Sequence, residues 1–301
     1  MSTKLLTAAA LFVLGLQPLS ALAAPSYSWS QIVIPGKQVQ VTRGLNDLGQ
    51  VTIVNTDGST GIYRLGQFKP LPAPPAGYTV GASGINNSGA IVGFAFTSDP
   101  HYQAFILKGG QYKFFTLPGW QSTEARSISP SGLVVGMSYQ DSGEYAGWIY
   151  DPSTGIFTDA TPPGSVFTVV QGINRFGRIS GSALDANLGK YAFIWQQGSS
   201  GGAADLVPFL DRVILQGVFT NARGINDAGV ITGFLQNVGS SGQSVGFVGN
   251  ATEGYQLLFP PGAAAAAATY CSAINNFGQV ACDVQDAVGN SLGAFIGTPQ
   301  L

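Results

Sequence analysis

Gly84-Ile85-Asn86-Asn87-Ser88-Gly89 reads as the end of a β-strand followed by a tight turn, and the chain carries six versions of it. The other copies are Gly44-Leu45-Asn46-Asp47-Leu48-Gly49, Ser127-Ile128-Ser129-Pro130-Ser131-Gly132, Gly172-Ile173-Asn174-Arg175-Phe176-Gly177, Gly224-Ile225-Asn226-Asp227-Ala228-Gly229 and Ala273-Ile274-Asn275-Asn276-Phe277-Gly278. Their anchor residues, at 46, 86, 129, 174, 226 and 275, lie 40 to 52 residues apart. Self-similarity at such a period marks a repeat architecture. Asn at the first turn position and Gly at the fourth fit a type I turn whose last residue takes a positive φ.

Outward from the second copy, Tyr78 to Ile85 is a β-compatible run and Ala90 to Phe96 resumes beyond the turn, which predicts a hairpin. A third strand over Tyr102 to Leu107, a turn at Gly109-Gly110 and a fourth strand over Tyr112 to Leu117 complete the unit. The other copies keep phase. Their third-strand aromatics, Tyr63, Phe105, Trp148, Phe193, Phe247 and Phe295, follow the anchors by 17 to 21 residues. Four short antiparallel strands at this period predict propeller blades, since a β-helix rung is shorter and a sandwich would not hold phase six times. The sixth copy shows no fourth strand of its own, whereas Tyr27 to Gly36 resembles the fourth strands ending at Pro118-Gly119 and Pro261-Gly262. The expectation is an all-β, six-bladed β-propeller over residues 24–301, with the N-terminal strand completing the last blade and covering an open edge.

Composition points the same way. Charged residues make up 9% of the chain, and 42 glycines with 17 prolines favour tight turns over long helices. The formal net charge is −2 and no basic patch stands out, which argues against nucleic-acid binding. Met1 to Ala23 reads as a secretory signal peptide, with Lys4, an apolar run from Leu5 to Leu16 and the small-residue site Ala21-Leu22-Ala23. No second apolar stretch is long enough to span a bilayer. A secreted or periplasmic monomer is therefore expected. Cys271 and Cys282 flank the last turn symmetrically, so they face each other across one hairpin at about 4.5–5.5 Å between Cβ atoms. That spacing suits a disulfide in an oxidising compartment.

The pattern Gly-Ile-Asn-x-x-Gly-x-Ile-x-Gly, matched at Gly84 to Gly93 and Gly224 to Gly233, resembles the HAF repeat of bacterial extracellular proteins. Ala104-Phe105-Ile106-Leu107 and Ala192-Phe193-Ile194-Trp195 are similar to its second part. The resemblance covers nearly all of residues 24–301, although the histidine that names the repeat is missing from every copy. It implies a secreted repeat protein, in some members with a C-terminal sorting signal that Gly297 to Leu301 does not resemble, and it supplies no catalytic residues.

Chemistry is sparse. Asp47 and Asp227 place one carboxylate in each of two turns, too few for a calcium loop. Gly289-Asn290-Ser291-Leu292-Gly293 matches the nucleophile pattern of serine hydrolases but lies between strands, remote in sequence from His101, the only histidine. With one histidine and two paired cysteines, no metal site and no cofactor are expected. Among the carboxylates, Glu124 beside Trp120 draws attention, as do Asp205 and Asp211 in the longest inter-anchor segment, where the repeat breaks. The sharpest pattern stands three residues before each anchor: Arg43, Ser83, Arg126, Gln171, Arg223 and Ser272. Arginine alternates around the predicted ring. With first strands innermost, three guanidiniums would circle the axis and hold an anion, a carboxylate-bearing ligand or water, or else pack their stems between blades. The leading reading is a non-catalytic binding scaffold for a glycan, an anionic ligand or a cell-surface polymer, with Arg43, Arg126, Arg223, Glu124 and Trp120 as its candidate residues. Trp120, Tyr139 and Tyr145 are expected as exposed aromatics for stacking on sugar. The alternative is a polysaccharide-acting hydrolase or lyase using carboxylates near the axis.

Overall fold

A computed structural model describes residues 26–186, 189–196, 205–206, 219–238, 242–263 and 268–300. The signal-peptide reading and Asp211 fall outside them. The described residues are all-β and form a propeller. After β1 (Tyr27–Gln31), the strands β2 (Val39–Leu45), β3 (Val51–Asn55), β4 (Thr60–Arg64) and β5 (Gln67–Pro70) pair in order as one antiparallel sheet. A second sheet runs β6 (Thr79–Ile85), β7 (Ile91–Phe96), β8 (Gln103–Lys108), β9 (Gln111–Phe115). A third runs β10 (Ser122–Ile128), β11 (Val134–Tyr139), β12 (Tyr145–Asp151), β13 (Ile156–Asp159). The fourth runs β14 (Ser165–Ile173), β15 (Arg178–Asp185), β16 (Gly189–Gln196), β17 (Asp205–Leu206).

The remaining eight strands do not form two separate sheets. The strands β18 (Phe219–Ile225), β19 (Ile231–Val238), β20 (Gln243–Asn250) and β21 (Gly254–Leu258) pair as one antiparallel group. A second group holds β22 (Ala268–Ile274), β23 (Val280–Gln285), β24 (Ser291–Pro299) and β1. A single parallel bridge, Ser244 to Ala268, joins the two into one eight-stranded sheet. The N-terminal strand does lie on the C-terminal one, antiparallel from Tyr27 opposite Pro299 to Gln31 opposite Phe295.

The core lies between neighbouring sheets. Val92, Ala104 and Ile106 of the second sheet pack on Ala125, Val134 and Trp148 of the third. Ile32, Val39 and Val51 pack on Ala273, Ala281 and Ala294, so the apolar contact runs from the first unit back to the last. All six third-strand aromatics are buried. At about 2–3 kcal/mol per buried ring they supply much of the packing energy between units. The first strands β2, β6, β10, β14, β18 and β22 contact one another in a closed cycle around an axis. Cys271 and Cys282 sit directly opposite on β22 and β23 and form the disulfide.

Candidate functional site

The six turns converge on one mouth. A pocket of about 90 Å³ is lined by residues of all six repeats, among them Asn46, Asn86, Pro130, Asn174, Asn226 and Asn275. Each turn closes by the N–H of its Gly donating to the anchor carbonyl, at 3.0–3.2 Å. That fourth position needs a left-handed backbone, and Gly89 takes φ +77° with its five counterparts between +70° and +95°.

The asparagines do more than form turns. Asn86 accepts the N–H groups of Ser88 and Ala90 on its Oδ1, then donates its amide to the Ser129 carbonyl of the next unit at 3.0 Å. Asn46 reaches the Asn86 carbonyl, Asn174 that of Asn226, Asn226 that of Asn275, and Asn275 that of Asn46. Turn chemistry alone therefore does not account for their recurrence. They form a belt that ties each unit to the next, broken after the third, where Ser129 is too short and bonds Ser131 instead. The residue after the anchor adds a second tie in every repeat but the third, where Pro130 stands. Asp47 and Asn87 exchange a backbone and a side-chain hydrogen bond, and Asn276 bonds the carboxylates of both Asp47 and Asp227. Burial opposes ionisation of Asp47, but the Asn276 N–H and the Asn87 and Asn276 amides hold its carboxyl below the usual range. Both turn carboxylates are thus occupied as clamps.

Below the belt every first strand carries an irregularity at the position three residues before the anchor. The register shifts across Arg43, Ser83, Arg126, Gln171, Arg223 and Ser272. A β-bulge re-aims the side chain it carries, and five of the six, all but Ser83, line the axial pocket. The glycine or small residue that follows lets the strands meet. A Cβ on Gly84 would lie 2.7 Å from the Ser127 Cα, and one on Gly44 2.7 Å from the Ser83 carbonyl.

The three arginines therefore share one axial pocket. Arg43 lies over the Phe94 ring at 5.6 Å from its centroid and Arg223 over Phe234 at 5.0 Å. Arg126 pairs with Glu124 at 2.9 Å. Desolvation, with the repulsion of Arg126, lowers Arg43 to about 10. Desolvation, Arg126 and Arg43 together lower Arg223 to about 9. On a third level Asp283 is buried, and both its oxygens accept the Thr42 N–H, at 2.9 and 3.1 Å. Burial pushes its carboxyl up to about 7 despite those bonds and the attraction of Arg43 and Arg223. The Nε of each of the three arginines is buried without a partner, and leaving one such donor unsatisfied costs about 1–3 kcal/mol. A cation–π contact returns about 0.5–2 kcal/mol, so the collar does not pay for itself in stability. Perturbed charges gathered in a cleft are a mark of function.

The structure brings together Arg43, Arg126, Arg223 and Glu124, the last buried on the first strand two residues before Arg126. Trp120 is not with them. It precedes β10, at the end of the strand opposite the mouth. Tyr139 and Tyr145 belong to that far end too and are half-buried, stacked on each other at 5.6 Å, with Tyr145 on Phe167 at 4.4 Å. They are not the free platforms the sequence suggested. His101 lies between Asp99 (2.7 Å) and Asp141 (3.3 Å), and the hydrogen bonds to Asp141 and Asp99 raise its pKa. Ser291 opens β24 with no helix after it. Asp205 sits in a two-residue edge strand opposite Ile194. Among the described residues no three His, Cys, Asp or Glu side chains converge, and no helix is long and apolar enough to cross a membrane. Sequence reasoning missed Asp283. A lone Asp among Val280-Ala281-Cys282 and Val284 was the available signal.

No family model matches the chain, and no curated protein matches it. Among solved structures it resembles TolB from Acinetobacter baumannii, with TM-score 0.52 and 13% identity over 83% of this chain and 59% of that one. The chain thus spans about three-fifths of TolB's length. It also resembles a putative gluconolactonase, with TM-score 0.50 and 10% identity over 91% of this chain and 92% of the other. The Aleuria aurantia lectin, a six-bladed β-propeller, overlaps at TM-score 0.45 and 9% identity, over 90% of this chain and 97% of its own; that is too loose to bear on function. At these identities the likeness to the first two shows a fold and no more: the chain is similar to β-propellers.

Proposed function

We propose that the chain is a six-bladed propeller that serves as a non-catalytic binding module and takes its ligand at the axial mouth. The blade count rests on the six antiparallel groups of four strands and the closed cycle of six first strands, the Ser244–Ala268 bridge being a local contact between two blades. The observation that carries the binding reading is the collar: three arginines, each at a β-bulge, that line one pocket shared by every repeat. The ligand class is a glycan or cell-surface polymer bearing anionic groups. We place the protein with the HAF-repeat extracellular proteins, as a secreted or periplasmic monomer, a setting that the Cys271–Cys282 disulfide suits.

One observation favours the enzymatic alternative. Asp283 titrates near neutrality and Glu124 lies in the same axial cluster, and paired unlike carboxylates run glycoside hydrolysis. Against it, neither carboxylate lines the pocket: Glu124 is held by Arg126 and Asp283 by Thr42. A glycan array run beside a reducing-sugar release assay decides between the readings. Binding without turnover supports the module, turnover lost in Asp283→Asn would replace it with the enzyme, and neither binding nor turnover would remove both.

A further inference from the structure

The axial pocket has a chemistry specific enough to name a ligand group, on the reading that the mouth is the binding site. Arg43, Arg126 and Arg223 line it from the first, third and fifth repeats, with the uncharged Gln171 and Ser272 between them. Among the described residues, no protein acceptor takes a hydrogen bond from Arg43 or Arg223, and both are held from behind by aromatic rings. Only Arg126 has a direct carboxylate partner. The mouth above is walled by asparagine amides and turn backbone, and its two carboxylates are tied down by Asn87, Asn276 and Arg175.

We propose that Arg43, Arg126 and Arg223 form a receptor for a tetrahedral oxyanion, a sulfate or phosphate group, and that Asp283 acts as its built-in competitor. Three donors set alternately around an axis match an anion with oxygens on several sides, whereas a carboxylate offers two oxygens in one plane. The charge agrees. Glu124 offsets Arg126, and the remaining two cations match a dianion once Asp283 is neutral. The space of about 90 Å³ holds such a group with a few waters. Ionised Asp283 attracts Arg43 and Arg223 and so opposes a second negative charge beside them. The groups around it are Thr42 and Arg43 of β2, Arg223 of β18 and Tyr270, its register partner on β22, and the two arginines, at about 10 and about 9, keep their charge through pH 7. Its carboxyl takes up its proton near pH 7, so acidification removes the negative charge that competes with the ligand for both guanidiniums. The group belongs to a free ion or to a sulfated or phosphorylated polymer.

The test uses titration calorimetry of the full chain with inorganic sulfate, whose charge is constant between pH 5.5 and 8.5 (values of roughly that span suffice to bracket the group). Sulfate should bind to the wild type and tighten as pH falls through 7. Arg43→Gln and Arg223→Gln should each weaken it by on the order of tenfold or more, with circular dichroism showing each variant folded. Asp283→Asn should bind at pH 8 as the wild type does at acid pH, without the pH dependence. A sulfated glycan competing with free sulfate assigns the polymer as the source, while free sulfate bound without competition assigns the ion. Sulfate uptake equal in the wild type and in the triple Arg→Gln variant would overturn the proposal. Capture of a neutral glycan, unaffected by those variants, would also overturn it while leaving the binding-module reading in place.

Discussion

The anchor turns and the collar occupy neighbouring rungs of the same six strands, yet the protein uses them in opposite ways. At the anchor five of six residues are Asn, and each closes its own turn; four of the five described links around the belt run from Asn to Asn. Three residues upstream the same geometry carries Arg in one unit and Ser or Gln in the next. In the belt every anchor asparagine has an acceptor for its amide nitrogen. The collar leaves three buried Nε atoms without partners and drives Arg43 and Arg223 well below the usual arginine range. Uniform recurrence here is a solution to holding the ring shut, and alternation is where the ring departs from what stability asks.

That contrast can be broken from the belt side first. Replacing Cys271 and Cys282 together by Ser removes a cross-link closing about a dozen residues and should cost about 3 kcal/mol, read as a lower denaturant midpoint. Asn275→Ala removes the acceptor for the Phe277 and Gln279 N–H groups and the tie to the Asn46 carbonyl, where the last unit meets the first. Its cost should be about 2–3 kcal/mol, and a melting temperature within a degree of wild type would show that the belt bears no load.

On the collar side the sign reverses. Arg223→Gln should leave thermal stability unchanged or raised at pH 8, because it removes a desolvated cation repelled by Arg126 and Arg43; a loss beyond about 2 kcal/mol would return the collar to a packing role. Asp283 gives the pH signature. Its carboxyl rises from 3.8 to about 7 on folding, so its contribution is fully present below the unfolded value and is lost as pH rises through about 7. Melting temperature should fall across that window in the wild type, and Asp283→Asn should flatten the fall. The smallest effect sharpens the comparison. Ser129→Asn would restore the missing amide of the third unit and should add about 1 kcal/mol by reaching the Asn174 carbonyl.

The six turns, the strand hairpins and the buried aromatics were legible because each rests on local chemistry: positive φ at Gly, β-compatible runs between turns, and a phase that repeats. Arg43, Arg126 and Arg223 were legible as an alternation. Their bulges were not, since an extra residue in a strand shows only against its partner's register, as between Ala125 and Ser127 opposite Gly136 and Val135. The stacking platform at Tyr139 and Tyr145 misread exposure, because the rings that cover them come from other strands and units.

By itself the sequence determined the repeating unit, its all-β character and the pairing of Cys271 with Cys282, because these depend on residues close along the chain. Only the tertiary structure decided that the anchor asparagines bond the next unit, that Asp283 of the sixth repeat takes the N–H of Thr42 in the first, and that the three arginines feel one another's charge. Those contacts join residues 40 to 241 positions apart. Closing the ring brings them into a medium where water no longer screens them, and it is there that the spacing of a repeat becomes a site.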